Sequence, residues 1–277
     1  MEPVCFKLGG LTVHWYGVMM ALGFLAGLAN WVWLGRREHR SFNTCSDLLF
    51  WIMVSGVIGA RVAYVAANWE EFSTRLLSAL YVWEGGLIYY GGFVGACLAV
   101  AFFARWRGEF VLDTWDFAVT ALPLGHAFGR VGCFLNGCCH GIVTHALCAV
   151  QYPAGTLPWW RHVDEGALAR TAERSLPVHP VQLYEAGFDL LVYASLIVLF
   201  RRRKRSGSTA ATYLVLYPVG RFMLEFLRGD PRLRFGGLSL AQWISVGLAA
   251  AGILLAVLVR ILSHRSDRLA SSSATRT

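Results

Sequence analysis

The chain has 277 residues, of which 56% are hydrophobic and 15% are charged. Soluble domains are about 45–50% apolar and about 25% charged, so this composition excludes a disordered chain and argues against an ordinary soluble enzyme. Continuous apolar runs of about 20 residues predict membrane-spanning helices rather than the alternating strands of a barrel. The net charge of +8 is typical of loops that set membrane topology, so no nucleic-acid partner is expected.

Seven apolar segments each approach the length that a bilayer requires. They cover residues 11–34, 47–67, 86–104, 114–137, 181–200, 208–228 and 238–262. The first run lacks the pattern of a cleaved signal peptide and is expected to be retained. The predicted fold is an all-α integral membrane protein with a single polytopic domain over residues 1–262. The polar connection 138–180 is predicted to form a cap outside the membrane, and residues 263–277 a short basic tail.

The distribution of lysine and arginine predicts the orientation of these segments. One set of loops carries 14 of these residues and the opposite set carries seven. The positive-inside rule then predicts an N-terminus outside the cell membrane and a C-terminus in the cytoplasm. The predicted cap falls on the outer side of the membrane.

Four basic residues lie inside or at the ends of apolar segments, where a central arginine costs about 2.5–3.5 kcal/mol on insertion scales. They are Arg61, Arg130, Arg221 and Arg228. Arg61 and Arg228 lie near the outer ends of their segments. For these two residues, snorkelling of the side chain to the membrane interface and a role in a binding site are equally good explanations. The deeper Arg130 and Arg221 favour a polar cavity.

The sixth segment carries a polar stripe. Tyr217, Arg221, Glu225 and Arg228 are spaced four, four and three residues apart, so a continuous helix would place them on one face. An ion pair between Arg221 and Glu225 explains only two of the four residues. The stripe therefore predicts a site lined by this helix.

The fourth segment ends in HAFGRVGCFLNGCCHG, residues 126–141. His126 and Arg130 lie one turn apart, and the glycines permit close approach of a second helix or of a ligand. A metal site is one interpretation of the residues at its end, which are Cys133, Cys138, Cys139 and His140. Their spacing is not that of paired metal ligands, so we expect small, polarizable packing residues and no metal.

Other polar residues lie at the outer ends of the apolar segments. They are His14, Tyr16, Tyr90, Asn136, His179, Tyr184 and Glu185. Interface anchoring explains aromatic residues there, and the helix dipole alone explains Glu185. Buried arginines flanked by Tyr, His, Asn and Glu nevertheless favour an anionic headgroup whose tails remain in lipid. The pattern predicts a phospholipid-like substrate bound toward the outer leaflet.

The order of motifs over residues 13–230 resembles the bacterial prolipoprotein diacylglyceryl transferase family. The motifs are HWYG, GARVAYV, VWEGGLIYYGG, GRVGCFLNG, HPVQLYE and RFMLEFLR. The resemblance implies a seven-helix inner-membrane enzyme without a metal or organic cofactor. Such an enzyme moves a diacylglyceryl group from phosphatidylglycerol to the lipobox cysteine thiol of a preprolipoprotein and leaves glycerol phosphate.

The resemblance also implies roles for individual residues. Arg130 matches the family's essential arginine, and Arg221 matches a second important one, with Glu225 one turn on. Other positions that match the family's site or signature are Tyr16, Asn136, Gly141 and Tyr217. We expect the chemistry to be carried by Arg130, Arg221, Glu225, His126 and Tyr90. The residues expected to bind substrate are Tyr16, His14, Arg61, Asn136, Gly141, His179, Tyr184, Glu185, Tyr217 and Arg228.

Three positions depart from the family's pattern. The histidine before the paired glycines is Tyr90 here, the signature's first asparagine is Cys133, and its acidic position is Cys138. His126 or His140 could replace the missing base, whereas a tyrosine, with a reference pKa near 10, is a weak base at neutral pH. A paralogue with another acceptor and a transporter or flippase for an anionic lipid remain as alternatives. A flippase would need a polar path on the cytoplasmic side, but the polar residues concentrate outward.

Overall fold

The structure is a computed structural model that describes residues 4–9 and 11–274. The α-helices of this described part are α1 (Trp15–Gly35), α2 (Phe42–Ala67), α3 (Trp69–Phe72), α4 (Tyr89–Trp106), α5 (Val111–Val119), α6 (Leu122–Asn136), α7 (Leu157–Asp164), α8 (Val181–Arg202), α9 (Ser208–Leu224) and α10 (Leu240–Ala274). Two short antiparallel hairpins pair β1 (Val4–Leu8) with β2 (Leu11–His14) and β3 (Arg234–Phe235) with β4 (Leu238–Ser239). Short 3₁₀ turns cover Leu76–Leu80, Val82–Glu84 and Glu225–Leu227.

Five helical segments are long and apolar enough to cross a membrane. They are Trp15–Gly35, Phe42–Ala67, Val111–Asn136, Val181–Arg202 and Leu240–Ser263. Between 17% and 39% of the residues in their most apolar windows are buried. The remaining residues of Val111–Asn136 are half-buried, whereas the other four segments also carry exposed side chains. The prediction of a mostly helical, multi-pass membrane protein is confirmed.

Two predicted segments correspond to shorter helices that are not among these five. Helix α4 has 18 residues and replaces segment 86–104, while α9 has 17 residues and covers most of segment 208–228. Helix α9 ends at Leu224, because the chain tightens into a 3₁₀ turn at Glu225 and becomes extended at Arg228. The prediction that one helix face carries Arg228 together with Arg221 is therefore wrong.

The boundaries of three other segments also differ from those predicted. Residues 11–14 of the first predicted span form strand β2, which pairs with β1, and the helix begins at Trp15. The predicted span 114–137 consists of α5 and α6, which adjoin near Pro123 at the start of α6. Helix α10 continues to Ala274, into the segment predicted as a tail, while residues 275–277 of that tail lie outside the described residues.

The described residues form two compact units: the first lies within residues 1–27 and 119–277, and the second covers residues 28–118. In the second unit α2 packs against α4 through small residues. A Cβ atom on Gly59 would collide with the backbone carbonyl of Gly91, and one on Gly95 would collide with that of Ser55. These glycines allow the two helix backbones to approach closely, as small residues do in membrane helix pairs.

Arg61 holds the connection between α3 and α4 against α2. Its guanidinium donates to the carbonyl oxygens of Ser78, Ala79, Gly85 and Gly86 at 2.7 to 3.1 Å. The residue is 7% exposed, so its charge is buried against backbone oxygens rather than extended to a membrane interface.

The first unit contains α6, α8, α9 and α10, with α6 packed on α8, α8 on α9, and α9 on α10. The connection 138–180 folds over one end of these helices and includes α7. Its first residues run between two other chain segments: Gly141 N donates to His179 O at 3.0 Å, and Ile142 N donates to Leu227 O at 2.9 Å. This arrangement places the end of α6 beside the start of α8 and the end of α9.

Candidate active site

Glu185 is the centre of an ion network in the first unit. It lies on the second turn of α8, is 3% exposed, and faces three arginines. Its Oε2 is 2.7 Å from Nε of Arg130, and its Oε1 is 3.2 Å from Nη1 of Arg221 and 3.5 Å from Nη1 of Arg228. A helix-dipole role does not account for these contacts, because a buried carboxylate requires charged or hydrogen-bonding partners.

Glu225 fixes the other side of Arg221. Its Oε2 lies 2.6 Å from Nη2 of Arg221, and its Oε1 accepts a hydrogen bond from Ser239 Oγ at 2.7 Å. Arg232 Nε lies 3.9 Å from the same oxygen. The Arg221 guanidinium is thus held between two carboxylates, which defines its orientation.

Arg228 reaches the network from beyond the end of α9. Its Nε and Nη2 donate to the two carboxylate oxygens of Asp230 at 2.8 and 3.0 Å, and its side chain is 1% exposed. Burial by itself raises the pKa of Asp230, but the paired hydrogen bonds from Arg228 lower it below the ordinary aspartate value. Arg228 therefore crosslinks Glu185 to Asp230.

Arg130 and Arg221 are the arginines best placed to receive an anion. Their side chains are 22% and 13% exposed, compared with 1% for Arg228. In the described part of the chain, the ion pair of Arg130 uses only its Nε, which leaves both terminal nitrogens for a ligand. A planar guanidinium with two free donors suits phosphate oxygens.

His126 lies one turn before Arg130 on α6. Its ring centroid is 5.0 Å from that of Tyr217, and Tyr217 stacks on Tyr213 at 5.4 Å. The Nδ1 atom of His126 is buried without a hydrogen-bond partner among the described residues. A nitrogen in this situation can accept a hydrogen bond from a bound ligand.

A cavity of about 530 Å³ lies where β2 and the start of α1 meet the end of α6. Its lining residues are Thr12, Val13, His14, Tyr16, Gly17 and Asn136. The structure thus brings together three of the predicted binding residues, His14, Tyr16 and Asn136. The volume falls within the range of small-molecule sites, about 300–1,000 Å³.

Three cysteines cluster at the end of α6. The Sγ atoms of Cys133, Cys138 and Cys139 all lie within 4.8 Å of one another. Gly137 and Cys139 have φ values of +71° and +61°, and this left-handed turn brings the chain back against α6. Hydrogen bonds from the other two thiols, followed by the charges of Arg228 and Arg130, lower the pKa of Cys139, although burial opposes the shift. The spacing in the sequence did not predict this grouping.

Other predicted residues tie the 138–180 connection to α8. The hydroxyl of Tyr184 lies 3.2 Å from Nδ1 of His179. The same hydroxyl lies 2.9 Å from Sγ of Cys148. A Cβ atom on Gly141 would lie 2.6 Å from the carbonyl oxygen of His179, so only glycine fits there. His140 is buried and its Nδ1 donates to Gly141 O at 3.0 Å.

A family profile described as prolipoprotein diacylglyceryl transferase matches residues 3–258. The chain belongs to the prolipoprotein diacylglyceryl transferase family.

Proteins named phosphatidylglycerol–prolipoprotein diacylglyceryl transferase are similar to it over nearly their full length. The relative from Finegoldia magna is 31% identical, and the alignment covers 96% of this chain and 99% of the relative. The relative from Bordetella avium is 32% identical, and the alignment covers 96% of this chain and 97% of the relative. The one from Prochlorococcus marinus (strain NATL1A) is 33% identical and covers 91% and 88%. The resemblance found in the sequence is confirmed.

In this diacylglyceryl transferase family member, the predicted site residues lie in both units. Arg130, Arg221, Glu225, Glu185 and Arg228 meet in one ion network of the first unit. The second unit contains Arg61, described above, and Tyr90, which lies in the first turn of α4 and is 46% exposed.

Sequence reasoning did not single out two buried residues of α8. Gln182 Nε2 donates to the carbonyl oxygen of Cys138 at 2.7 Å and to the Tyr152 hydroxyl at 3.0 Å. Asp189 is 3% exposed, one turn beyond Glu185. The spacing of three and then four residues among Gln182, Glu185 and Asp189 was the available signal, since it places all three on one helix face.

Proposed function

We propose that this chain transfers the diacylglyceryl group of phosphatidylglycerol to the lipobox cysteine thiol of a preprolipoprotein, the first step of bacterial lipoprotein maturation. Membership of the family and the names of its relatives support this function. The observation that carries it is the joint contact of Arg130 and Arg221 with Glu185 inside an apolar helical unit. Two oriented guanidiniums in such surroundings suit the phosphate of a lipid headgroup.

The arginines stabilise the phosphate as it leaves. Arg130 offers its two terminal nitrogens to the phosphate oxygens, while Glu185 and Glu225 hold Arg130 and Arg221 in position before substrate binds. Preoriented charges in a site with little water require little reorganisation during the reaction, so they favour the developing negative charge. Arg228 acts through Glu185, because its own donors are engaged by Asp230.

The reaction is a displacement at the glycerol carbon that carries the phosphate. The acceptor sulfur attacks this carbon as a thiolate, which is the useful nucleophile. A carbon–sulfur bond forms, the carbon–oxygen bond to phosphate breaks, and its electron pair stays on the departing glycerol phosphate. The thiol proton passes to a base, for which we propose His126, with its unpartnered buried Nδ1, and Tyr90 as the alternative.

The substrates of this reaction are phosphatidylglycerol and the lipobox peptide, in contact with membrane lipids. The cavity at His14, Tyr16 and Asn136 supports binding of one substrate beside α6. Residues proposed to bind or position the substrates are Tyr16, His14, Arg61, Asn136, Gly141, His179, Tyr184, Glu185, Tyr217 and Arg228.

We also propose a bacterial inner-membrane location with seven spans, in which α4 and α9 join the five longer segments. Residues 1–262 are then one polytopic domain, with a periplasmic N-terminus, the cap 138–180 on the outer side, and 263–277 as a cytoplasmic tail. The asymmetry of lysine and arginine among the loops supports this orientation. At 1.5 Å per residue, the 18 residues of α4 reach about 27 Å, close to the thickness of the hydrocarbon core.

The test is an assay of the purified protein in lipid nanodiscs with phosphatidylglycerol labelled in its glycerol headgroup. A lipobox peptide should cause release of labelled glycerol phosphate and gain the mass of a diacylglyceryl group. The matched control is the same peptide with serine in place of cysteine, which should release nothing. Release that does not depend on the cysteine peptide, or movement of intact lipid between leaflets without release, would overturn the proposal.

A further inference from the structure

The geometry points to a zinc site at Cys133, Cys138 and Cys139, with a fourth coordination position open to the acceptor thiol. The three ligands come from the last turns of α6 and from the left-handed turn that follows it. The identity of the fourth ligand rests on the proposed transferase function, whereas the three-cysteine site does not.

The sulfur positions suit one metal ion. Zinc–sulfur bonds of about 2.3 Å in a tetrahedral site place the sulfurs about 3.8 Å apart. The three Sγ atoms already lie within 4.8 Å of one another, so closure on an ion requires movements of about 1 Å or less, which side-chain rotation supplies. Each of the three cysteines is half-buried. Three thiolates favour a soft cation such as zinc over magnesium or calcium.

Two guanidiniums lie near the cluster. Arg130 and Arg228 both act electrostatically on Cys139. Three thiolates with one Zn²⁺ carry a single net negative charge, which these two guanidiniums stabilise. The same arginines pair with Glu185, so the metal site joins the network that holds the phosphate-binding groups.

The cavity supplies an entrance to the fourth position. Asn136 lines this cavity and lies between Cys133 and Cys138 in the chain. Tyr16 also lines the cavity and interacts electrostatically with all three cysteines. Three protein ligands with one open position are the arrangement of a catalytic zinc site rather than of a closed structural one.

Zinc in this position activates the acceptor thiol. A coordinated thiol is deprotonated by the metal charge. The sulfur keeps its electron pair and attacks the glycerol carbon, while the proton leaves through water, with His126 as the proposed acceptor. The zinc stays divalent and no oxidant is required.

Cobalt(II) substitution tests the site in the full-length protein. The protein is reduced, stripped of metal with a chelator in detergent, and titrated with Co²⁺, whose thiolate charge-transfer bands should saturate at one ion per chain. Cys133→Ser, Cys138→Ser and Cys139→Ser should each lose these bands, while the matched control Cys97→Ser, in α4, should keep them. Absence of the bands in the wild type, or their persistence in all three serine variants, would overturn the site. Thermal unfolding of each variant verifies that it is folded.

The lipobox peptide tests the fourth position. Its cysteine form should shift the visible bands of bound cobalt, and its serine form should leave them unchanged. If the cysteine peptide leaves the visible bands of bound cobalt unchanged, the proposed open coordination position is disproved. If protein stripped of all metal transfers the diacylglyceryl group at the full wild-type rate, the metal inference is overturned and the transferase proposal remains intact. Cobalt binding without any diacylglyceryl transfer would instead overturn the proposed function and leave the three-cysteine site.

Discussion

Glu185 Oε2 lies 2.7 Å from Nε of Arg130, and this pair joins α8 to α6 inside the first unit. The other carboxylate oxygen faces Arg221 and Arg228. One buried acidic group thus balances three guanidiniums that come from three parts of the chain. Its charge both stabilises the unit and orients the three arginines.

Glu185→Gln should destabilise the protein and abolish transfer. Breaking a buried ion pair by removing one partner typically costs about 3–5 kcal/mol, because the remaining charge is left uncompensated. The matched control is Glu165→Gln at the end of α7, because the side chain of Glu165 is 51% exposed. Loss of its ion pair with Arg161 should cost about 0.5 kcal/mol or less. The free energy of unfolding in detergent measures both effects. Equal decreases in the free energy of unfolding for the two variants would contradict the central role of Glu185.

Arg130→Lys should lower the transfer rate by about 10²–10³-fold with little change in stability. A lysine can keep the ion pair with Glu185, but it lacks the second and third nitrogens that a guanidinium presents to phosphate. Initial rates with saturating peptide and a melting curve separate the two effects. Arg161→Lys, on α7, is the control. A variant that retains the wild-type rate would show that Arg130 does not contact the leaving group.

His126→Ala should reduce turnover by at least about 100-fold at neutral pH if His126 accepts the thiol proton. The deficit should shrink at high pH, where the peptide thiol ionises unaided. Tyr90→Phe should have the smaller effect. Rates measured across a pH series decide the assignment. The reverse pattern, with Tyr90→Phe inactive and His126→Ala active, would assign the base to Tyr90.

Acidification should loosen the cap around His162. Burial, followed by the nearby His140, lowers the pKa of His162, and its Nδ1 accepts a hydrogen bond from Leu176 N at 3.2 Å. The unfolded histidine takes up a proton near pH 6.5, whereas the folded one stays neutral to lower pH, so stability falls as the pH drops below about 6.5.

Amide hydrogen exchange at Leu176 measures this loosening. After correction for intrinsic rates, protection should be lower at about pH 5.5 than at about pH 7.5. His162→Asn, which keeps an acceptor but does not titrate, should reduce the difference. Protection that is independent of pH in the wild type would refute this assignment.

The proposed orientation predicts the behaviour of a fused reporter. An enzyme that is active only in the periplasm, joined after Thr277, should remain inactive, because the positive-inside rule places this end in the cytoplasm. The same reporter inserted at Gly166, in the predicted outer cap, should be active. Strong activity of the Thr277 fusion would reverse the topology.

The helical membrane fold was predictable because apolar length and composition are local properties of the sequence. It was also predictable that Arg130 and Arg221 have charged partners, since a charge in an apolar segment requires one. The identity of that partner was not predictable. Glu185 meets both arginines through the packing of α6, α8 and α9, and helical periodicity within one segment does not specify how separate helices pack.

A metal site was one interpretation of Cys133, Cys138 and Cys139 in the sequence, but their spacing is not that of paired metal ligands, so we expected packing residues instead. Spacing along the chain does not show that Cys133, on a helix, lies close to Cys138, beyond the end of that helix. The left-handed Gly137 reverses the chain between them. A glycine directly after a helix commonly adopts this conformation, so the signal was present in the sequence.

The bridges from Val178 to Val143 and to Val150 hold both ends of the connection 138–180 close together. A loop whose ends are already joined tolerates extra length, since each doubling costs only about 0.6 kcal/mol of closure entropy. Residues near the turn at Gly166, where φ is +71°, can therefore accept an inserted epitope or fluorophore. Such a label would follow the enzyme in living cells while the arginines and thiols beneath it kept their places.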